Sequence, residues 1–227
     1  MQNNQINWDV FFQILENNTL KLSSIQKNQF FSFHDFLLDW NKKINLIGRQ
    51  EGNIISRHFL NSALIAFFVK FKKEQKVIDI GSGGGFPAII LNIIFPETHF
   101  TLVESIKKKS DFLKETSKVV GLKNLVVINE RAEKIAKTKS FSSHYEFVTA
   151  RAVSALDELI PLTSPFLKNE GRMLFLKGKQ VDIEVESVKK SNWPDKYTLT
   201  IHRFQNIPFI PSDQESALVD IKFFLDR

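Results

Sequence analysis

With 227 residues, 43% of them hydrophobic and 25% charged, the chain has the composition of one folded domain with a modest extension, not of a disordered segment or two large domains. It contains no cysteine, which excludes disulfides, thiolate metal sites and cysteine nucleophiles. A formal net charge of +6 and a pI near 9.4 favour an anionic partner, nucleic acid first.

The opening Met1-Gln2-Asn3-Asn4-Gln5 lacks the charged and apolar regions of a signal peptide. No apolar run nears the roughly 18 residues of a membrane span, so a cytoplasmic protein is expected. The first 70 or so residues read as helices. Asn7 is a plausible N-cap before Trp8, Phe11, Phe12 and Leu15 on one face, and Ser23 or Ser24 caps a second helix. In that helix Ile25, Phe30, Phe33, Leu37, Leu38 and Trp40 recur near the 3.6 period. After the turn signal Glu51-Gly52-Asn53, a third apolar segment runs from Ile54 to Phe71. Three amphipathic helices need a partner surface, and the expectation is an extension, residues 1–74, packed on a domain formed by residues 75–227.

From about Lys76 a strand–helix alternation begins, with strands expected at 76–80, 99–104, 125–130, 145–150 and 171–177. It implies a parallel sheet covered on both faces. Lys196–Phe204 and Ala217–Leu225 have no helix between them and read as an antiparallel pair at the sheet edge. The first strand runs directly into Asp79-Ile80-Gly81-Ser82-Gly83-Gly84-Gly85-Phe86-Pro87. Glycines there let the backbone turn sharply and approach a ligand with no Cβ in the way. A dinucleotide fingerprint would carry its third glycine where Phe86 stands, so the pattern D-x-G-x-G-x-G points to a nucleoside and away from nicotinamide cofactors. Glu104 closes the next strand 23 positions after Gly81 (104 − 81), close to the roughly 20 at which an acid meets ribose hydroxyls. Its structural alternative is a helix cap, or a counter-charge to Lys107, Lys108 and Lys109, which themselves read as a solvated face with general phosphate attraction.

Six separated elements then carry a resemblance: Trp40-Asn41-Lys42 with Asn45-Leu46; Arg57-His58-Phe59-Leu60-Asn61-Ser62; Ile80 to Pro87; Arg131-Ala132-Glu133; Ala150-Arg151-Ala152; and Leu176-Lys177-Gly178. From about Trp40 to the final strand the chain resembles the bacterial 16S ribosomal RNA (guanine-N7) methyltransferases of the small-subunit methyltransferase G group, the glucose-inhibited division protein B family. The resemblance implies a Rossmann-like α/β fold of the class I S-adenosylmethionine-dependent methyltransferases, a mostly parallel seven-stranded sheet with an antiparallel edge hairpin. It implies methyl transfer from S-adenosylmethionine to N7 of one guanine in 16S RNA, free or in the small ribosomal subunit; a monomer is expected. It places Gly81 and Phe86 against the methionine and ribose part of the cofactor, Ala132 and Glu133 at the adenine and Arg151 beside the cofactor, with Gly83 also among the cofactor-binding residues. The chain departs from the commonest family pattern at Gly84, where many members carry proline, and at Asn61, where many carry aspartate.

The chemistry agrees. Guanine N7 is an in-plane acceptor with no proton to remove, so no general base and no catalytic side chain are expected, only positioning. Pyrimidine C5 methylation would need a cysteine. Enzymes acting on exocyclic amines often carry an Asn/Asp-Pro-Pro-aromatic motif where this chain has Thr149-Ala150-Arg151-Ala152. Arg131, Arg151 and Lys177 fall at or just after strand ends, the edge where open α/β sheets bind ligands; Arg131 and Lys177, with Arg57 and His58, are the expected substrate contacts. No metal site is expected, since the histidines at 34, 58, 99, 144 and 202 show no ligand spacing. Two competing readings are a methyltransferase of a small molecule or protein, and a non-catalytic RNA-binding protein with a vestigial pocket.

Overall fold

Short runs rich in Val, Ile and Phe build the sheet, because such side chains pack well on a pleated surface buried on both faces. The computed structural model describes residues 6–48, 53–191, 196–207, 210 and 216–224. The Met1–Gln5 opening, Glu51-Gly52 of the expected turn and Leu225 lie outside the described residues. The strands are β1 (Lys76–Ile80), β2 (His99–Val103), β3 (Leu125–Ile128), β4 (Tyr145–Arg151), β5 (Leu167–Lys177), β6 (Lys196–Arg203) and β7 (Ala217–Phe224). They order as β3-β2-β1-β4-β5-β7-β6. The first five pair in parallel, and β7 runs antiparallel between β5 and β6. Strand order reverses between β1 and β4, so the carboxyl ends of these two strands open a ligand crevice.

Two boundaries differ from expectation by more than one residue. β5 begins at Leu167 instead of 171, because Leu167 pairs with Tyr145 before a register shift. β3 stops at Ile128, and Asn129 turns its amide onto the Glu104 carbonyl at 2.8 Å.

Alternation along each strand splits the core in two. Val77, Phe100, Leu102, Phe147, Leu174 and Leu218 face the N-terminal helices α1 (Trp8–Asn17) and α2 (Ser24–Asn41). Ile78, Val148, Met173, Phe175 and Val219 face the other way. Asn7 caps α1 by accepting from Val10 N–H at 2.9 Å, and Ser23 with Gln26 forms a capping box on α2. Ile25, expected on the apolar face of α2, is instead exposed. It sits in the first turn, where Gln26 and Gln29 reach inward. They donate to the Ile93 and Val120 carbonyls at 2.8 and 3.2 Å, tying α2 to the ends of α5 (Ala88–Ile94) and α6 (Lys107–Val120).

The third apolar segment is not the continuous α-helix its composition suggested. Residues Ile55–Leu60 form a π-helical turn, followed by two short pieces, α3 (Asn61–Ala63) and α4 (Ile65–Phe68). The wider coil is sustained by side chains: Asn61 Nδ2 donates to the Arg57 carbonyl at 3.0 Å, and Ser62 Oγ to that of His58 at 2.7 Å. Val69 is already extended, so Phe71 lies beyond the helix and packs edge-on against Phe95 and Phe147. Phe33 of α2 and Phe59 of this segment both lie within 5.4 Å of Phe86, bracing the glycine loop from behind. Truncating the fully buried Phe33 to alanine costs about 3–5 kcal/mol.

Candidate active site

Beyond β1 the chain folds back on itself. Gly81 and Ser82 N–H groups donate to the Val103 carbonyl at 2.9 and 3.1 Å, and the Gly83 N–H donates to Glu104 Oε2 at 2.9 Å. Gly83 has φ +50°, and a Cβ built there meets nothing closer than the Gly81 carbonyl at 3.7 Å, so it would project into open space. At Gly85, with φ +88°, a Cβ would lie 2.3 Å from Ile89 Cδ1, because the loop passes directly onto α5. The two glycines therefore serve different ends, a bare hollow at Gly83 and close packing at Gly85.

Glu104 is buried, and its second oxygen accepts from the Ile106 N–H at 2.7 Å. One carboxylate thus joins the glycine loop to the turn leading into α6, combining the expected pocket position with a capping contact. Asp79 lies beneath. Thr149 Oγ1 donates to its Oδ1 at 2.6 Å, while Oδ2 is buried with no hydrogen-bond partner among the described residues. Burial pushes this carboxyl up to about 7; the adjacent Ser82 hydroxyl, which donates to the Asp79 main-chain carbonyl at 3.1 Å, and the Thr149 hydrogen bond oppose the rise, and the negative charge of Glu104 adds to it.

A cavity of about 620 Å³ opens in front of the loop, within the size range of small-molecule sites. Gly81, Gly83, Phe86, Glu104, His58 and Arg151 line it. Arg151, at the end of β4, donates from Nη2 to His58 Nδ1 at 2.7 Å. Since guanidinium only donates, that histidine nitrogen must accept, which makes the ring neutral with its proton on Nε2. The guanidinium also sits 5.6 Å from the Phe86 ring centre, a cation–π contact. The far wall is the loop Asn45–Gly48, which sequence reading did not assign to the site. Asn41 Oδ1 holds it by accepting from the Leu46 and Ile47 N–H groups at 2.9 and 3.1 Å. The Asn41…Asn45-Leu46 pattern was the available signal. A Cβ at Gly84 would lie 3.2 Å from the Leu46 carbonyl, so this loop sits tightly on the glycine turn. Lys109, grouped with a solvated face, also lines the cavity.

Other expected residues stand apart. Ala132 and Glu133 begin α7 (Ala132–Ile135); Glu133 is exposed in its first turn, and neither lines the cavity. Arg131, the N-cap of α7, and Arg57 are both exposed and outside it. Lys177 does not present a charge to solvent beside Arg151. Its Nζ pairs with Glu184 Oε2 at 2.7 Å and donates to the Ser154 carbonyl at 2.6 Å. Glu184 belongs to α9 (Val181–Lys190), which packs on the opposite face of the sheet from His58 and Phe86. Strand alternation gives Arg151 and Lys177 different partners, although both side chains line a second cavity beside the first. Among the described residues no group of His, Asp and Glu is placed to hold a metal ion, and no helix is long and apolar enough to cross a membrane.

The hollow at Gly83, the buried acid pair Asp79 and Glu104, and Arg151 fit a compact ligand with hydroxyls and a carboxylate. A family model described as rRNA small subunit methyltransferase G matches residues 26–207. A protein of Bacillus licheniformis named ribosomal RNA small subunit methyltransferase G is 34% identical over 216 residues, 94% of this chain and 90% of its own. One of the same name from Halalkalibacterium halodurans is 39% identical over 181 residues, 79% and 76% of the two chains. A crystal structure described as a SAM-dependent methyltransferase from Aquifex aeolicus superposes with a TM-score of 0.55 at 10% identity, covering 77% of this chain and 94% of that one, a likeness of fold.

Proposed function

This chain belongs to the rRNA small subunit methyltransferase G family, and we propose that it transfers the methyl group of S-adenosylmethionine to N7 of one guanine in 16S ribosomal RNA. The observation that carries the reading is the bare main-chain hollow at Gly83, locked to Glu104 at the sheet's switch point. S-adenosylmethionine, when bound, supplies an electrophilic methyl on a sulfonium whose departure leaves a neutral thioether. The chain's own work is to hold, orient and exclude. Gly81, Gly83 and Phe86 form the floor, and Glu104 has lone pairs left for ribose hydroxyls after accepting its two backbone N–H bonds. Arg151, a guanidinium fork fixed by His58 and Phe86, complements a carboxylate. The assignment of Ala132 and Glu133 to the adenine rests on the family motif.

N7 carries its lone pair in the ring plane and no proton, so the transfer needs alignment and no base. The lining side chains are given binding and orienting roles: His58 Nδ1 is engaged by Arg151, and Glu104 by two main-chain donors. Arg131 and Arg57, exposed near the site, supply phosphate attraction. Residues 1–74 act as a brace for the loop and cavity wall of the domain at 75–227. The enzyme works as a cytoplasmic monomer.

The test is methyl transfer from labelled S-adenosylmethionine to naked 16S RNA, intact small subunits and a protein extract, followed by mapping of the modified base. Label on a single guanine N7 is expected. Label in protein alone, or none with any acceptor, overturns the reading.

A further inference from the structure

A second cavity, of about 550 Å³, adjoins the first and shares Arg151 and Ala152 with it. It is walled by Val153, Ser154, Leu176, Lys177, Gln180 and Glu184. We propose, resting on the N7 reading above, that this cavity receives the target guanine flipped from its strand and that Glu184 reads its Watson–Crick edge.

The case is built on the two oxygens of Glu184. Its contacts with Lys177 and Leu156 both fall on Oε2, which is ion-paired with Lys177 Nζ at 2.7 Å and accepts from the Leu156 N–H at 2.9 Å. Oε1 has no partner among the described residues, although the side chain is only 19% exposed. Lys177, 10% exposed and held also by the Ser154 carbonyl, fixes the carboxylate's orientation and balances its charge. The result is a rigid, anionic acceptor facing a cavity beside the cofactor site. Its Oε1 is open to the cavity, where a ligand donor can take the place of water.

Guanine offers N1–H and an N2 amino group on one edge and the acceptors N7 and O6 on the other. A carboxylate takes the first edge, which leaves N7 on the side away from Glu184. Adenine presents a lone pair at N1, which Oε1 repels. Enzymes acting on a base must extrude it from its stack and read it by such contacts; Val153 and Leu176 give the cavity apolar surface for the base faces. Lys177 becomes a positioning residue that acts through Glu184, not a phosphate contact.

The experiment compares 16S RNA carrying guanosine at the mapped site with the same RNA carrying inosine, which keeps N7, O6 and N1–H and lacks the N2 amino group. Both RNAs are assembled into small subunits if naked RNA is not an acceptor. The wild-type enzyme is expected to favour guanosine by roughly 10- to 100-fold in kcat/KM, the loss of one charge-assisted hydrogen bond. In Glu184→Gln the amide oxygen is drawn to Lys177 and Leu156, which turns the amide donors into the cavity. Transfer then falls on both RNAs and the guanosine-to-inosine ratio approaches one, while calorimetric affinity for S-adenosylmethionine is unchanged. A wild-type enzyme indifferent to the N2 group, which needs no variant to observe, overturns the proposal. So does a Glu184→Gln enzyme that keeps the wild-type ratio. Absence of transfer to any guanine by the wild type instead overturns the function on which the proposal rests.

Discussion

Asp79→Asn isolates the electrostatics under the glycine loop. Asp79 is 1% exposed, and its carboxyl is raised from 3.8 to about 7, chiefly by burial. Because the folded value lies above the unfolded one, the native state binds the extra proton between roughly pH 4 and 7. Stability therefore falls as pH rises through that window and levels off above it. The whole shift corresponds to about 4 kcal/mol, of which about 2 kcal/mol is lost between pH 5.5 and 8.5. Asparagine keeps an acceptor for the Thr149 hydroxyl and never ionises. Urea unfolding of both proteins at the two pH values should show the stability difference moving by about 2 kcal/mol in favour of the variant at the higher pH. Comparing the two proteins cancels the titration of every other group. If their stability–pH curves run parallel, the folded value of Asp79 is not raised above the unfolded one, and the account of an acid that burial holds in its protonated form toward neutral pH is wrong.

Gly83→Ala meets open space but a left-handed backbone, so about 1 kcal/mol of stability should go, with a loss of at least roughly 10-fold in S-adenosylmethionine affinity by calorimetry as the methyl fills the hollow. Gly85→Ala drives a Cβ toward Ile89 and should instead lower the melting temperature through strain and overpacking of about 2–4 kcal/mol; the opposite ranking would show that the hollow is misplaced. Glu104→Ala removes the acceptor of the Gly83 and Ile106 N–H groups, and cofactor affinity should fall about 10- to 100-fold, an unchanged Kd refuting the ribose assignment. Arg131→Ala, exposed at the start of α7, should weaken RNA binding with little regard to sequence and lower the slope of log affinity against log salt by about 1.

Local chemistry explains what was legible in advance. The strand-to-glycine passage at Ile80-Gly81 and the acid at Glu104 are set by spacing along one βαβ unit, and the β1 ends are those the apolar run implied. The caps at Asn7 and Ser23 are likewise local. The π-helical turn at Ile55–Leu60 depends on Asn61 and Ser62 serving carbonyls of the preceding turn, a choice made by packing that periodicity does not encode. The Asn45–Gly48 wall was hidden for a similar reason, since only the fold brings it 3.2 Å from Gly84.

Lys177 shows why a strand-end position is weaker evidence than a strand-end face. Arg151 and Lys177 both terminate parallel strands at the binding edge, and sequence alone made them equivalent. In β4, Arg151 falls in register with Thr149 and Phe147, toward His58. In β5, Lys177 falls in register with Phe175 and Met173, toward α9. A shift of one residue in either strand would exchange those surroundings. The lysine's charge is thereby spent on orienting Glu184, and recognition of the base passes to an acid that no motif marked. A cationic edge attracts RNA of any sequence, whereas a fixed acceptor discriminates between bases. On the proposed reading, selectivity for guanine belongs with the carboxylate, and general attraction with the exposed arginines.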